Sequence, residues 1–286
     1  MSFLFSFIVL AEIFAIVAIS TNLLMGVVGI FSVAQAAIMG CGAYAYAVVA
    51  GAGVPFVPSV LIAMAIAGGL NLITALPSLR LAGDYFVITS FGTQLVATAV
   101  FINWVSVTGG AAGLPGIEVA RLFGVPLISA QAFSLVSTLA LVLVAFSFWS
   151  LMRAPYGRLL HAIRQDEIAV AASGRNVLRA KVGVSLVSGA YAGCGGALYG
   201  AYISFIDPIS FDIHVSVLVI TMVVVGGART LAGSIIGPFL LLAIPQVLTM
   251  IDIPSTVLGP TRQLIFGVIL IVCVLWRPQG LAGRSL

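Results

Sequence analysis

The chain has 286 residues, of which 62% are hydrophobic and 7% charged, with a formal net charge of +4. A soluble domain carries about a quarter charged residues, so this composition excludes a water-soluble globular protein and indicates a polytopic integral membrane protein. The basic residues flank apolar runs instead of forming a stripe on a polar face, which argues against nucleic acid as a partner and for the lipid bilayer.

Apolar runs of the length that a membrane span needs, about 20 residues, recur along the whole chain. They predict an all-α fold in a single transmembrane domain over residues 1–286, with about nine transmembrane helices and a range of about eight to ten. The candidate spans are residues 3–25, 30–50, 55–77, 85–105, 131–152, 182–205, 214–227, 231–250 and 262–276.

Two of these regions are predicted to be irregular. The run 214–227 is too short for a comfortable crossing and is followed closely by 231–250, so one of the pair is expected to be re-entrant or broken. Glycines, with Ser32 and Gln35, interrupt the stretch 26–42, and irregular backbone at membrane depth is tolerated only against protein or along a cavity. We therefore expect a broken helix in that stretch.

The distribution of positive charge predicts the orientation. If the loop 153–181 lies in the cytoplasm, most other arginines fall on the same side, which predicts an N-terminus outside and a C-terminus inside. The outer segment 106–130 is rich in glycine and should be a loop, with room for a short helix. The other arginines on the inner side are Arg80, Arg229, Arg277 and Arg284, and the charged residues outside are Glu118, Arg121, Asp207, Asp212, Asp252 and Arg262.

Small residues at four-residue spacing predict close helix packing in two of the spans. Such rows let helix backbones approach each other where lipid offers no hydrophobic drive for association. For each row, packing within one subunit is favoured over a subunit interface. The rows are Gly189, Gly193 and Ala197; Gly196 and Gly200; and Gly233 and Gly237.

The sequence lacks the motifs of the common enzymes. A P-loop places a lysine after its glycines, but the single lysine, Lys181, follows no glycine-rich loop. No Gly-x-Ser-x-Gly elbow occurs, and His161 and His214 do not have metal-ligand spacing. We expect no enzyme activity, no catalytic residue, no metal and no cofactor in this chain.

Few groups in the candidate spans suit a transport path. Glu12 is the one plausible charge within a span, so the parts needed for proton or sodium coupling are missing, and Glu12 either serves a path or partner or lies near the outer interface. Neutral polar side chains could line a translocation path, with an interhelical hydrogen bond as the alternative for each. The candidates are Asn22, Ser32, Gln35 and Gln94.

Half of the 12 Lys and Arg residues fall in the polar loop 153–181. A polar, helix-forming segment between membrane spans is a place where a soluble partner could act on a membrane protein. The basic residues are Arg153, Arg158, Arg164, Arg175, Arg179 and Lys181, with Asp166 and Glu167 between them.

Within this loop, residues 161–173 are predicted to form a short helix. Alanines favour the helix, Asp166 suits its first turn, and Gly174 is placed to end it. The eight residues 166–173 would span about 12 Å. A compact helix with Ile168 among alanines suits insertion into a groove on a soluble partner, and the alternative is a solvated linker helix.

A family resemblance covers nearly the whole chain. The loop carries Ala162-Ile163-Arg164-Gln165-Asp166-Glu167-Ile168-Ala169, closed by Gly174, and this resembles the cytoplasmic coupling loop of LivM-type permeases from branched-chain amino acid ABC importers. Three further stretches resemble the same family. They are Asn22-Leu23-Leu24-Met25-Gly26 through Ser32 to Gly40-Cys41-Gly42-Ala43-Tyr44; Gly83-Asp84-Tyr85-Phe86; and Ala197-Leu198-Tyr199 with Asp207-Pro208 and Gly226-Gly227 through Gly233 to Gly237-Pro238.

The resemblance implies a type II-like ABC importer permease in the bacterial inner membrane, with 153–181 as its cytoplasmic coupling loop. A related second permease would complete a heterodimer, two cytoplasmic subunits would bind ATP and Mg, and a periplasmic binding protein would deliver the substrate. Two departures from the family are expected: Gln35 stands where histidine is common, and a leading span of longer members is missing. The residues that the resemblance assigns to ATPase coupling are Arg164, Asp166, Glu167, Ala171 and Gly174.

The substrate implied by the resemblance is a branched-chain amino acid or a related small polar or amphipathic solute, such as an amide, urea or an aromatic acid. Selection among these would reside largely in the binding protein. Two other functions stay open from the residues alone: a stand-alone secondary transporter or channel, and an intramembrane enzyme or assembly factor.

Overall fold

The computed structural model describes residues 2–78, 85–117, 120–122, 125–127, 129–248, 264–269, 271–273, 275 and 280–283. Long apolar helices dominate these residues, and five of the helices described are long and apolar enough to cross a membrane. Shorter apolar helices occupy the other predicted spans, so each of the nine predicted spans coincides with a helix, the last over 264–269 and 271–273. The predicted all-α, polytopic fold is confirmed.

The helices are named in chain order. A π-helical segment, Asn22–Val28, continues the first helix without a break and is called the π segment below. The α-helices are α1 (Ser2–Thr21), α2 (Gln35–Gly51), α3 (Phe56–Ser78), α4 (Tyr85–Asn103), α5 (Val105–Thr108), α6 (Ala130–Arg153), α7 (Pro155–Gln165), α8 (Glu167–Ala172), α9 (Val177–Ile203), α10 (Ile213–Gly226) and α11 (Leu231–Leu248).

The predicted broken helix lies after the first span. The π segment ends at Gly29, whose φ of 82° is the left-handed conformation that glycine adopts without strain. Residues 29–34 are not helical, and α2 begins at Gln35. We call residues 29–34 the break.

The helix α10 is the short member of the predicted irregular pair. Its 14 residues, Ile213–Gly226, follow the cap Asp212, whose side chain accepts a hydrogen bond from Val215 N, and precede Gly227. Such a helix is about 21 Å long, which is less than the roughly 30 Å hydrocarbon core of a bilayer. The turn 227–230 then leads directly into α11.

The predicted loop 106–130 contains a short helix, as expected, and also strand pairs that the sequence did not predict. Helix α5 and a 3₁₀ turn, Gly110–Ala112, open it. Strand β1 (Leu114–Pro115) pairs antiparallel with β4 (Phe205–Ile206), and β2 (Arg121–Leu122) pairs with β3 (Val125–Pro126). The β1–β4 pair ties this loop to the segment that follows α9.

Helix α9 lies at the centre of the bundle, and its glycines explain how its neighbours come so close. A methyl group at Gly193 would lie 2.5 Å from the Ala67 side chain of α3, and one at Gly42 would lie 2.5 Å from the backbone of Gly193. A methyl group at Gly196 would lie 2.9 Å from the backbone nitrogen of Ala43 in α2. The contacts between α9, α2 and α3 are called the glycine-packed core below.

All three predicted small-residue rows pack within this one chain. The row on α9 that includes Gly189 meets α3, and the row that includes Gly196 meets α2. The third row packs α11 against α10, where a methyl group at Gly237 would lie 3.2 Å from the Cα of Gly226. The prediction of packing within one subunit is confirmed.

The predicted helix over residues 161–173 is wrong as a continuous element. Asp166 has extended backbone (φ −155°, ψ 103°), and its side chain accepts a hydrogen bond from Ala169 N at 2.9 Å. An aspartate in that geometry caps a new helix instead of continuing the old one. The chain therefore forms α7 before Asp166 and the six-residue α8 after it, and Gly174 ends the turn with a φ of 80°.

Some predictions fall outside the described residues. They concern Gly83 and Asp84 of the resemblance and the charged residues Arg80, Glu118, Asp252, Arg262, Arg277 and Arg284.

Candidate functional site

The four candidate path residues gather around the π segment, the break and the start of α2. Asn22 lies in the π segment, Ser32 in the break, Gln35 at the start of α2, and Gln94 on the facing helix α4. All four side chains are buried. Each of the four takes part in hydrogen bonding in this conformation, and each has its own set of partners.

Gln94 fixes the start of α2. Its Oε1 accepts hydrogen bonds from Ala37 N at 3.0 Å and from Ser216 Oγ at 3.2 Å, and its Nε2 donates to the Phe211 carbonyl at 2.8 Å. Ser216 Oγ also accepts from Ala36 N at 2.9 Å. The first N–H groups of a helix have no hydrogen-bond partner within that helix. Gln94 of α4 and Ser216 of α10 therefore accept hydrogen bonds from N–H groups of α2 that would otherwise lack a partner within the membrane.

Gln35 belongs to a second cluster, which joins α1 to α9. Ser20 Oγ lies 3.2 Å from Gln35 Oε1 and donates to the Ser188 carbonyl at 2.7 Å, while Ser188 Oγ donates to the Ser20 carbonyl at 3.1 Å. In the break itself, Val33 N donates to Ser90 Oγ at 3.1 Å, and Ala34 N lies 3.4 Å from Ser32 Oγ. The non-helical backbone is therefore held by the Ser90 side chain of α4 and by Ser32 of the break itself.

Asn22 ties the π segment to the turn between α10 and α11. Its Oδ1 accepts from Arg229 N at 2.8 Å, and its Nδ2 donates to the Thr230 carbonyl at 3.1 Å and to Ser234 Oγ at 2.7 Å. Gly26 allows this approach, because a methyl group there would overlap Asn22 Oδ1 and lie 2.8 Å from Arg229 N. Asn22 thus makes three hydrogen bonds from one side chain.

Glu12 is buried at 5% exposure between α1 and α6. Its two carboxyl oxygens accept hydrogen bonds from Ser137 Oγ at 2.5 Å and Thr138 Oγ1 at 2.6 Å. Both of its oxygens are occupied by hydroxyls of one neighbouring helix. In this structure Glu12 therefore joins two helices.

None of the residues of helix α8 is buried, and Val170 alone among them is partly buried, against the core. Ile168 is 81% exposed, which is unusual for an isoleucine in a helix bounded by a cap and a turn. Glu167 pairs with Lys181 of α9 at 2.6 Å, an exposed ion pair of the kind that adds little stability. Four of the five candidate coupling residues, Asp166, Glu167, Ala171 and Gly174, lie together on this exposed unit.

Arg164, the fifth candidate coupling residue, turns inward. It lies in the last turn of α7, and its Nη1 donates to the Gly26 carbonyl and lies 3.5 Å from the Met25 carbonyl. Its Cγ lies 3.1 Å from the position that a methyl group would take at Gly29. The guanidinium of Arg164 thus contacts the C-terminal end of the first span.

Helix α7 is anchored beneath α8 on one apolar face. Gly157, Leu160 and Ile163 are buried, and Tyr156 donates a hydrogen bond to the Ala180 carbonyl of α9 at 2.6 Å. Partial burial, followed by the nearby charges of Arg164 and Arg229, lowers the pKa of His161 below its ordinary value. His161 therefore faces the same basic cluster as Arg164.

The contacts also show which loops share an end of the bundle. Arg164 of the polar loop meets Gly26, and Asn22 meets Arg229, so the polar loop, the break and the turn 227–230 lie together. Ala282 N donates to the Gly226 carbonyl at 2.9 Å, which brings residues 280–283 to the same end. The β1–β4 pair defines the opposite end.

Two open grooves in the described bundle are almost entirely apolar. One, of about 500 Å³, lies among α2, α3 and α4 and is lined by Val48, Leu70 and Val96 among others. The other, of about 330 Å³, lies among α3, α6 and α9 and includes Leu61 and Leu143. Neither offers the convergent polar groups that a small polar ligand requires.

Sequence reasoning missed the partners of the candidate path residues. Ser20, Ser188 and Ser216 are single serines within apolar runs, where a small polar residue carries no motif. A serine in an apolar run predicts that its buried hydroxyl forms a hydrogen bond, but it does not predict which residue is the partner.

Comparison with known proteins agrees with the resemblance drawn from the motifs. Residues 3–274 match the family described as "Branched-chain amino acid transport system / permease component". The high-affinity branched-chain amino acid transport system permease protein LivM of Escherichia coli is 28% identical over 296 aligned residues, covering 95% of this chain and 68% of that protein.

Two further relatives carry similar names. The LivM protein of Salmonella typhimurium is 28% identical, over 94% of this chain and 67% of its own length. A probable branched-chain amino acid transport permease protein LivM of Methanocaldococcus jannaschii is 23% identical, over 74% of this chain and 64% of its own length. No solved structure matches the chain.

Proposed function

This chain belongs to the family of branched-chain amino acid transport permeases, and we propose that it forms the translocation path of an ATP-driven importer and is moved through α8. It is a multi-pass permease subunit of an ABC importer, and its family is one of transport proteins, not of enzymes. The observation that supports the role of α8 is that none of its six residues is buried and that Ile168 is 81% exposed, although Val170 packs partly against the core.

Helix α8 suits docking on a soluble ATPase. It is compact, it is fixed at both ends by the Asp166 cap and the Gly174 turn, and it offers Ile168 as an apolar contact. An exposed apolar side chain on a short helix is the kind of group that inserts into a groove on a partner. We assign ATPase coupling to Asp166, Glu167, Ala171 and Gly174, with Arg164 in a different role that is developed below.

The partners follow from this assignment. Two ATPase subunits bind ATP and Mg and dock at the end of the bundle that carries the polar loop. A related permease completes the membrane part, and the apolar grooves leave faces that a second permease or lipid can cover. A periplasmic binding protein delivers substrate to the opposite end, where the β1–β4 pair lies.

The orientation that fits these partners has the N-terminus outside and the C-terminus inside. The polar loop, the turn 227–230 and residues 280–283 then lie in the cytoplasm, and Arg164 and Arg229 follow the tendency of basic residues to stay on that side. The membrane is the bacterial inner membrane.

We propose a branched-chain amino acid, or a related small solute, as the substrate, from the names of the relatives. We propose that its path passes the cluster around the break, where Asn22, Ser32, Gln35 and Gln94 lie. Because Asn22, Gln35 and Gln94 are hydrogen-bonded to neighbouring helices here, the path opens only when those helices separate.

The experiment that tests this function is co-purification of the permease with its ATPase subunits. Glu167→Arg reverses a charge on α8 and is expected to reduce the ATPase recovered with the permease at least several-fold, with insertion in the membrane unchanged. Lys181→Ala is the matched control, since it removes the same ion pair with Glu167 but leaves α8 itself intact.

Two outcomes would contradict the proposal. One is ATPase recovery and uptake in Glu167→Arg that equal those of the unmodified protein. The other is transport of labelled leucine in proteoliposomes by this chain without any ATPase, which would favour a stand-alone transporter or channel.

A further inference from the structure

The end of the first span leaves backbone carbonyls that need hydrogen-bond donors. In the π segment, the Leu24 carbonyl accepts from Gly29 N and from Ile30 N at 3.0 Å, so it is satisfied by the chain itself. The Met25 and Gly26 carbonyls instead face the guanidinium of Arg164. The carbonyl end of a helix attracts a cation, so an arginine is a suitable side chain for this place.

Arg164 also lies close in sequence to the capped start of α8. Only Gln165 separates it from Asp166, the N-cap of α8. A displacement of α8 reaches Arg164 through two residues of backbone. Among the described hydrogen bonds of the polar loop, those of Arg164 are the ones that reach the π segment.

The side chain of Arg164 fits its site by packing as well as by charge. Gly29 has no side chain, and the Arg164 stem fills the space above it, with Cγ 3.1 Å from the site of a methyl group. Burial first, and the charge of Arg229 second, lower the pKa of Arg164, so two cations lie close together at this point. Repulsion between Arg164 and Arg229 opposes the contact of Arg164 with the Gly26 carbonyl.

The π segment is held on its other side by Asn22, which bonds to Arg229, Thr230 and Ser234. It therefore lies between the polar loop and the α10–α11 turn, and it leads directly into the break. A pull on the Gly26 carbonyl acts on the part of the first span that has the least regular hydrogen bonding.

We propose that Arg164 is the positioning residue that transmits movement of α8 to the π segment and the break. This inference rests on the proposed function, since it takes α8 as the element that the ATPase moves. It assigns Arg164 to the interior of the permease, away from the ATPase surface that the family resemblance implies for it.

The test uses the full importer in lipid, with spin labels that report α8 and the break separately. In a background without the native cysteines, one labelled pair joins Ala171 on α8 to Ala112 at the outer end, and the other joins Phe31 in the break to Ala112. All three positions are at the surface of the described chain. Distances are measured without nucleotide and with ATP plus vanadate.

In the unmodified protein, both distances are expected to change with ATP and vanadate. In Arg164→Gln, the change at Ala171 should persist and the change at Phe31 should be lost. Uptake of labelled leucine per ATP hydrolysed should fall about tenfold, a typical size for coupling between two sites. Arg164→Lys keeps a cation and a donor and should restore part of both signals.

The controls separate transmission from folding. Arg158→Gln removes another arginine of α7 whose side chain is exposed, and it should leave both distance changes intact. Gly29→Ala should act like Arg164→Gln, because its methyl group meets Arg164 Cγ. Gly53→Ala carries a similar positive φ of 81° with open space around it, so it reports backbone strain alone.

The results that overturn the inference are distinct from those that overturn the function. If Phe31 still moves in Arg164→Gln, or if Phe31 does not move in the unmodified protein although Ala171 does, Arg164 is not the transmitting residue. If Arg164→Gln abolishes movement at Ala171 or releases the ATPase, Arg164 acts at the ATPase surface. If the unmodified protein retains no ATPase at all, the proposed function itself fails.

Discussion

The glycine-packed core and helix α8 differ in how tightly their helices pack against the rest of the molecule. In the core, α9 approaches α2 and α3 so closely that a single added methyl group would collide with backbone. In α8, no residue is buried, and the helix is held by a cap, a turn, the ion pair of Glu167 with Lys181 and partial packing of Val170. Close packing gives the molecule a rigid frame, and its absence leaves α8 available to a partner.

The largest expected effect comes from adding volume to the core. Gly196→Ala would place a methyl group against the Met39 carbonyl and should cost about 1–3 kcal/mol or more, because the opposing atoms are backbone. Thermal unfolding in detergent measures the loss. Gly69→Ala in α3 is the control, since nothing lies within 4 Å of that site and alanine favours the helix. Equal melting temperatures for the two variants would show that the core is looser than described.

The next effect tests whether the π segment belongs to the rigid frame. Asn22→Ala leaves buried partners at Arg229 N and the Thr230 carbonyl without their bonds, which should cost about 1–3 kcal/mol. Asn103→Ala is the matched control, because Asn103 is exposed and its Nδ2 bonds only to the Ala99 carbonyl among the described contacts. If both variants unfold in detergent at the same midpoint temperature, the π segment does not contribute to the rigid frame.

A smaller effect is expected at α8, where only local stability is at stake. Asp166→Ala removes the cap on Ala169 N and should destabilise α8 by about 1 kcal/mol, without a change in global melting temperature. Hydrogen exchange at residues 167–172 should accelerate about fivefold, and Asp166→Asn, which can still cap, should restore protection. A fall in global melting temperature would mean that α8 is part of the packed frame after all.

The smallest effect is a pH dependence at the base of α8. The lowered pKa of His161 means that the folded protein binds its proton less readily than the unfolded chain does. Stability from this site is therefore complete above the ordinary histidine pKa and declines as pH falls through the lowered value. His161→Gln should remove that decline, visible as a melting temperature less sensitive to pH below neutrality. A larger decline in the variant would contradict the sign.

The sequence was sufficient for the features that depend on local pattern. Each span is an apolar run, so its position can be found from the local composition. The spacing of the rows with Gly189 and Gly196 is enough to predict close helix packing. The polar loop stands out by charge. These features do not require knowledge of which helices are neighbours.

The features that could not be predicted from the sequence depend on contacts between residues that are distant along the chain. Arg164 reads as one more basic loop residue, and only the fold shows that it reaches Gly26, 138 positions earlier. The division at Asp166 was missed because an aspartate suits both a first turn and a cap. Strands β1 and β4 have two residues each, too few to show an alternating pattern.

The shortness of α10 ties this permease to the thickness of its membrane. A helix of 14 residues is roughly 9 Å shorter than the hydrocarbon core of a typical bilayer. At one end of α10 the Phe211 carbonyl accepts a hydrogen bond from Gln94 Nε2 of α4, and at the other end Arg229 N donates to Asn22 Oδ1 of the π segment. A thinner bilayer therefore matches α10 more closely than a thick one, and hydrophobic mismatch at this helix falls next to the turn that is hydrogen-bonded to Asn22.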